Sequence, residues 1–221
     1  MFNALKRFNF GKSFIDWIKT MYANPLFSVK NNGWLSSKVS MRRGIRQGCP
    51  LSALLFIISV ELLAQRLRNN TNIVGFQFGN THIKLSQYAD DSTLILSNCK
   101  SIICAVDEIQ EFGKHAGLKL NMHKTQGMLL GNMKYDTVKN VNINWTKEPI
   151  KCLGIWFGNN ALVSEYNWDK KFEAMEDKIR IWKQRNLSLF GKVLIIKSLI
   201  LSNITLQASV LPIPDTVEKK N

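Results

Sequence analysis

The sequence predicts an α/β fold in which an antiparallel sheet carries helices on one face and a purely helical segment follows. Three observations lead there. Short strand-like runs recur from Phe27 to Phe157, two long internal helices interrupt them, and from about Glu165 the pattern becomes wholly helical. A chain of 221 residues suffices for one large domain or two small ones. The predicted boundary separates residues 1–160 from a helical segment, 161–221.

The apolar share of 45% argues for a folded chain. Thirty Lys and Arg against 16 Asp and Glu leave a formal net charge of +14. That excess favours a polyanionic partner, nucleic acid foremost, although ribosomal and membrane-surface proteins share such balances. Cys49, Cys99, Cys104 and Cys152 form no CxxC pair, and His82, His115 and His123 complete no finger spacing. Buried or free thiols in a reducing compartment are expected. Lys6, Arg7 and Lys12 interrupt the apolar N-terminus, which is no secretory signal. The longest apolar run, Leu51 to Val60, is short for a bilayer and ends at Glu61. The expectation is an intracellular chain of nucleus or cytoplasm, not secreted and without a membrane partner.

Taken in order, Phe2 to Tyr22 read as an amphipathic helix broken near Gly11, with Ser13 as N-cap of its second part. Phe27–Lys30 and Lys38–Met41 flank Asn31-Asn32-Gly33, a hairpin signal. The loop from Arg42 to Cys49 holds three arginines, a glutamine and two glycines. It opens a helix from Pro50 to about Arg68 that is apolar on nearly every side. Such a loop at a helix N-terminus suits phosphates, and equally suits a solvated basic turn.

Ile73–Phe78 and His82–Gln87 pair across Gly79-Asn80 and deliver Tyr88-Ala89-Asp90-Asp91. The flanks Ile83–Leu85 and Thr93–Leu96 predict a β-hairpin with the Asp pair at its tip. Taken alone the hexapeptide Gln87–Ser92 is ordinary turn chemistry. Adjacent carboxylates also repel unless a cation or solvent intervenes, and magnesium, an oxygen-seeking ion, fits such a pair. A helix from about Ser101 to Ala116 ends at Gly117, its predicted C′ residue. Lys124 precedes an apolar strand, Gly127–Leu130, and by residue type reads as a surface lysine. Met133 to Glu148 carries only weak pattern. Ile150–Phe157 is strand-like, with Gly154 marking a bulge or a close approach. Two basic helices follow, the second capped by Ser188 and ended by Pro212 and Pro214, and they suit a phosphate backbone.

The ordered set Arg46-Gln-Gly-Cys-Pro-Leu-Ser52, Tyr88-Ala-Asp-Asp91, Gly117-Leu-Lys-Leu-Asn121 with Lys124, and Cys152-Leu-Gly-Ile155 resembles the consecutive palm motifs of non-LTR (LINE-type) retrotransposon reverse transcriptases. The tail Trp182–Ser188 and Gly191–Lys197 resembles the thumb segment that follows them. The resemblance implies a polymerase palm over 1–160, a thumb-like segment over 161–221, and RNA-directed DNA synthesis from an RNA template, a DNA primer and deoxynucleoside triphosphates. It implies two magnesium ions in a complete active site, with manganese as the alternative. Asp90 would be a metal ligand and Asp91 a further or supporting one. Arg46, Gln47, Gly48 and Tyr88 would lie against template and nucleotide. Lys124 would protonate the leaving pyrophosphate, and Leu153, Gly154 and Ile155 would support the primer.

One departure weighs against activity. The family carries a further metal-binding Asp upstream, in an Ala-Phe-Asp-like strand, together with a steric gate and fingers; Asp16, the only acid before Glu61, is a poor substitute. The chain is expected to be inactive alone. The alternatives are a nucleic-acid-binding remnant and a decayed product that does not fold stably.

Overall fold

The structure, a computed structural model, describes residues 1–41, 44–45, 48–131, 138, 141–158 and 162–214. They fall into two compact units, Met1–Leu120 and Asn121–Asn221.

The first unit opens with two helices, α1 (Phe2–Arg7) and α2 (Lys12–Met21). Ser13 does not cap the second, contrary to expectation. Gly11 takes the N-cap position in an extended conformation, so the helix is already under way at Ser13. Four strands follow: β1 (Leu26–Phe27), β2 (Lys30–Asn31), β3 (Trp34–Leu35) and β4 (Val39–Ser40). They form one long hairpin. Asn32 and Gly33 close it with φ of 47° and 87°, the pair of positive values a type I′ turn requires.

Helix α3 (Pro50–Asn69) has Pro50 in its first turn, as the sequence predicts. Leu55 packs with Leu5, Ile15 and Ile18 into one core cluster. Leu67 packs with Ile73 and Ala105 into another. The helix thus joins two cores, yet it is not buried all round: Leu54 and Ile57 are exposed on its open side. Beyond it run β5 (Phe76–Phe78), β6 (Thr81–Ile83), β7 (Leu85–Tyr88) and β8 (Asp91–Leu94), paired as β5–β6 and β7–β8. A bridge between Gly75 and Leu96 links the two hairpins. Lys84 fastens them to α3 by donating from Nζ to the carbonyls of Arg68 (2.8 Å) and Asn70 (2.9 Å), at the helix end where a cation is favoured. Helix α4 (Cys99–Ala116) is capped by the Asn98 side chain and closed by Gly117 at φ 69°. Its buried Ser101 hydroxyl accepts from Val74 N–H at 2.8 Å, tying the helix to the strand region.

In the second unit β9 (Gln126–Met128) runs parallel to β10 (Asn144–Thr146). Gly127 leaves room there for its neighbour, since a Cβ would lie 2.6 Å from the Trp145 ring. The hairpin of β11 (Ile150–Cys152) and β12 (Ile155–Phe157) comes next. Helix α5 (Leu162–Ser164) widens into a π-helical stretch, Glu165–Asp169, and continues as α6 (Lys170–Lys183). Ser188 caps α7 (Leu189–Ile195), as predicted, and a second π stretch leads into α8 (Ser202–Val210).

The mixed helix-and-strand class is as expected, but the single antiparallel sheet is not. Among the described residues the strands stand in two-stranded ladders, and β9–β10 is parallel. Two helical runs, α3 at 20 residues and Leu189–Val210 at 22, are by length and composition sufficient to cross a membrane. The uninterrupted run Leu51–Val60 understated the first, because α3 continues beyond Glu61. The division at Leu120 is one of packing; the palm and thumb at 160/161 are functional terms and are taken up below.

Candidate functional site

The carboxylate pair sits where the hairpin turns. Tyr88 pairs with Asp91, so Ala89 and Asp90 form a two-residue turn between β7 and β8. Asp90 is in the turn proper, whereas Asp91 is already the first residue of β8. Ala89 takes φ 53°, an uncommon conformation for a residue with a Cβ. The base of the hairpin is held by Leu85 and Leu94, which pack on the Leu67–Ile73–Ala105 cluster. Its end is free: Tyr88, Ala89, Asp90 and Asp91 are all exposed. Hydrophobic anchoring below and a solvated tip above leave both carboxyl-bearing residues exposed.

Whether the pair alone completes a metal site is a question of donors. Among the described residues no group of three His, Cys, Asp or Glu side chains is placed to hold a metal ion. Magnesium is usually bound by one or two carboxylates together with water and substrate phosphates. Asp90 and Asp91 therefore fit part of the shell of one ion. Asp16 is engaged elsewhere, 2.8 Å from Lys19 on the surface of α2. The hydrogen bond from Lys19 holds its carboxyl below the ordinary carboxylate range.

The remaining predicted residues divide. Arg46 and Gln47 lie outside the described residues. Gly48 is exposed at φ 79°, directly before Cys49 and the N-terminus of α3. The first turn of α3 is fixed from the side by Ser52, whose hydroxyl meets Tyr22 Oη at 2.8 Å.

Lys124, in the second unit, is exposed on a turn organised by Asn121. The Asn121 carbonyl accepts from Lys124 N–H (3.1 Å), Thr125 N–H (2.9 Å) and Thr125 Oγ1 (2.9 Å). Leu153, Gly154 and Ile155 are not equally exposed. Leu153 and Gly154 are the two turn residues between β11 and β12, at φ 49° and 91°, and Leu153 is exposed. Ile155 points inward and is buried.

Two residues with no part in the sequence reading hold this second turn. The buried Asn167 amide accepts from Trp156 N–H at 2.9 Å and donates to the carbonyls of Trp156 (2.8 Å) and Val163 (2.9 Å). It substitutes for a neighbouring strand along β12. Gln207 of α8, also buried, donates to the Gly154 carbonyl at 3.4 Å, while its Oε1 has no partner. A Cβ on Gly154 would approach Leu206 to 2.9 Å, so α8 touches the turn itself. The available signal was a polar residue in apolar phase: Gln207 lies two helical turns beyond buried Ile200.

Residues 1–157 match the family described as reverse transcriptase (RNA-dependent DNA polymerase). The chain belongs to the reverse transcriptase family. Over 208 residues, 92% of the chain, it is 28% identical to the "Transposon TX1 uncharacterized 149 kDa protein" of Xenopus laevis. Over 124 residues, 56% of the chain, it is 29% identical to the "Retrovirus-related Pol polyprotein from type-2 retrotransposable element R2DM" of Drosophila melanogaster. A type-1 R2 element polyprotein of Nasonia vitripennis is 29% identical over 120 residues, 54% of the chain. The chain spans 16%, 11% and 11% of the lengths of these relatives. The non-LTR resemblance carried by the motifs is in agreement with this set.

Proposed function

We propose that this reverse transcriptase chain supplies part of the site for RNA-directed DNA synthesis, with residues 1–160 as palm and 161–221 as a thumb-like segment. Its ligands would be an RNA template, a DNA primer and deoxynucleoside triphosphates, in an intracellular setting. The observation that carries the reading is the exposed Asp90–Asp91 turn on an anchored hairpin, in a chain of this family.

Asp90 and Asp91 would bind a divalent ion, magnesium or manganese, through carboxylate oxygens. Such an ion, when bound, offsets the negative charge that builds up on a phosphate during its transfer. Gly48, with no side chain, would let backbone approach the template base and nucleotide, beside Arg46 and Gln47. Tyr88 would flank the nucleotide from β7. Lys124 would give a proton to the leaving pyrophosphate oxygen. Leu153 would bear on the primer, with Gly154 and buried Ile155 setting its position.

The family resemblance implies a further metal-binding Asp beside this set, in an Ala-Phe-Asp-like strand. A second reading therefore stands beside the first, favoured by the absence of a three-donor group among the described residues: a chain that holds nucleic acid without extending it. Primer extension on an RNA template with magnesium separates them. The 221-residue chain is expected to be inactive, and a longer chain carrying an upstream Ala-Phe-Asp-like motif to be active and dependent on Asp90. Extension by the short chain, abolished by Asp90→Asn, would show that no further carboxylate is needed.

A further inference from the structure

We propose that the β1–β4 arm is a binding site for single-stranded nucleic acid, with Trp34 as the stacking platform. The arm is one hairpin from Pro25 to Met41, closed at its base by Met41 N–H donating to the Pro25 carbonyl at 2.9 Å. Two residues separate the pairs Phe27↔Val39 and Lys30↔Leu35 on the outgoing strand, and three on the return. The extra residue is a bulge, spanned by Ser36, which donates N–H to the Val29 carbonyl and accepts Val29 N–H on Oγ, both at 2.9 Å.

That register decides what shares a face. Trp34 lies opposite Asn31, Val29 lies two residues before Asn31, and Phe27 two before Val29. Alternation along a strand puts Trp34, Val29 and Phe27 on one face, with Val39 opposite Phe27. All four are exposed, Trp34 to 82%. No residue from Leu26 to Ser40 is buried. A two-stranded hairpin with no core behind it is marginal in water, so this arm is built to be covered.

Charge identifies what covers it. From Trp17 to Val60 there is no acidic residue, while Lys19, Lys30, Lys38, Arg42, Arg43 and Arg46 all fall there. Lys30, paired with Leu35, stands next to the tip on the opposite face, and Lys38 lies in the bulge. Exposed aromatic side chains on one face, with lysines on the same arm, suit unpaired bases on a phosphate backbone. A duplex keeps its bases stacked and offers no such face to Trp34. The inference rests on the reading above in taking the strand as the unpaired template, but its test is separable, because it leaves the carboxylate turn intact.

The experiment measures binding of the 221-residue chain to labelled unpaired RNA and DNA oligonucleotides and to a duplex, across a salt series. Trp34→Ala should weaken binding of unpaired strands by about 5- to 100-fold, with little change for the duplex and none in the salt slope. Trp34→Phe should restore most of the loss. Lys30→Ala with Lys38→Ala should instead flatten the slope, by about 0.7 per lysine. Binding is read without primer extension and no variant touches the carboxylate turn, so failure of the polymerase reading would not touch this one. Affinity for unpaired strands within twofold of the parent in Trp34→Ala would overturn the proposal. So would self-association of the chain that Trp34→Ala abolishes, which would make the arm an interface between copies.

Discussion

The β7–β8 turn in the first unit and the β11–β12 turn in the second both span two residues. Both begin with a side-chain-bearing residue at positive φ, 53° at Ala89 and 49° at Leu153. Such a conformation costs on the order of 1–2 kcal/mol for an L-residue. Neither position is rescued by the asparagine or glycine that turns of this kind prefer. They are held differently. The first is anchored through Leu85 and Leu94 at its base and left free at its tip. The second is gripped beside the turn by buried amides of Asn167 and Gln207 and touched by Leu206. A carboxylate pair that is to bind a cation must stay solvated until the ion arrives, because burying it unpaired is costly. An apolar residue that is to press on a partner gains from a rigid mount. Strain with no packing reason is the observation from which a functional hypothesis properly starts.

The largest expected effect tests the free turn. In a longer chain that extends primer, Asp90→Asn should lower the rate by more than about a hundredfold. Its stability should stay within about 0.5 kcal/mol of the parent, as for an exposed residue. Equal loss of folding and activity would show that the tip is structural, and the contrast between the turns would fall.

The gripped turn is tested through its amides. Asn167→Ala strands the Trp156 N–H and C=O and the Val163 C=O in a buried place. That should destabilise the second unit by about 2–5 kcal/mol, read by denaturant unfolding. Gln207→Leu is the internal comparison. It removes one long bond and an Oε1 that already lacks a partner, so a change of under about 1 kcal/mol is expected. Equal effects would mean that the grip does not centre on β12.

These two turns also show where sequence was informative. Asn32-Gly33, Pro50, Gly117 and Ser188 each carry a local backbone preference, and each stands where that preference predicts. The Asp pair was placed at a hairpin tip, and Asp90 is in the turn. The positive φ values of Ala89 and Leu153 were invisible, because neither side chain favours them; closing a two-residue turn between paired strands imposes the conformation. The Asn167 clamp and the parallel β9–β10 pair join residues that are distant along the chain, and no local pattern encodes such contacts. Ser13 misled for the opposite reason: its capping tendency is real, but Gly11 reached the cap first.

Relieving the strain gives the next effect down. Leu153→Asn puts a residue tolerant of the left-handed region at φ 49° and should stabilise the second unit by about 1 kcal/mol. If Leu153 bears on the primer as proposed, primer extension by a longer, active chain should nevertheless fall. Stabilisation without loss of activity would remove Leu153 from the primer.

The smallest effect is expected at Ala89, and its sign is the informative part. Ala89→Gly removes the Cβ penalty at φ 53°, which by itself would stabilise by about 1 kcal/mol. Glycine also gives the unfolded chain more freedom to lose, a cost of about 0.5–1 kcal/mol. The two nearly cancel, so denaturant midpoints should shift little. The turn itself becomes looser, because the tip has no packing to replace the stiffness that a Cβ imposes on the backbone. If Asp90 must be held in one orientation to share an ion with Asp91, activity of the longer chain should drop several-fold while stability stays level. Wild-type activity in Ala89→Gly would mean that the ion orients its own ligands, and the strain at Ala89 would then be a by-product of closing a short turn.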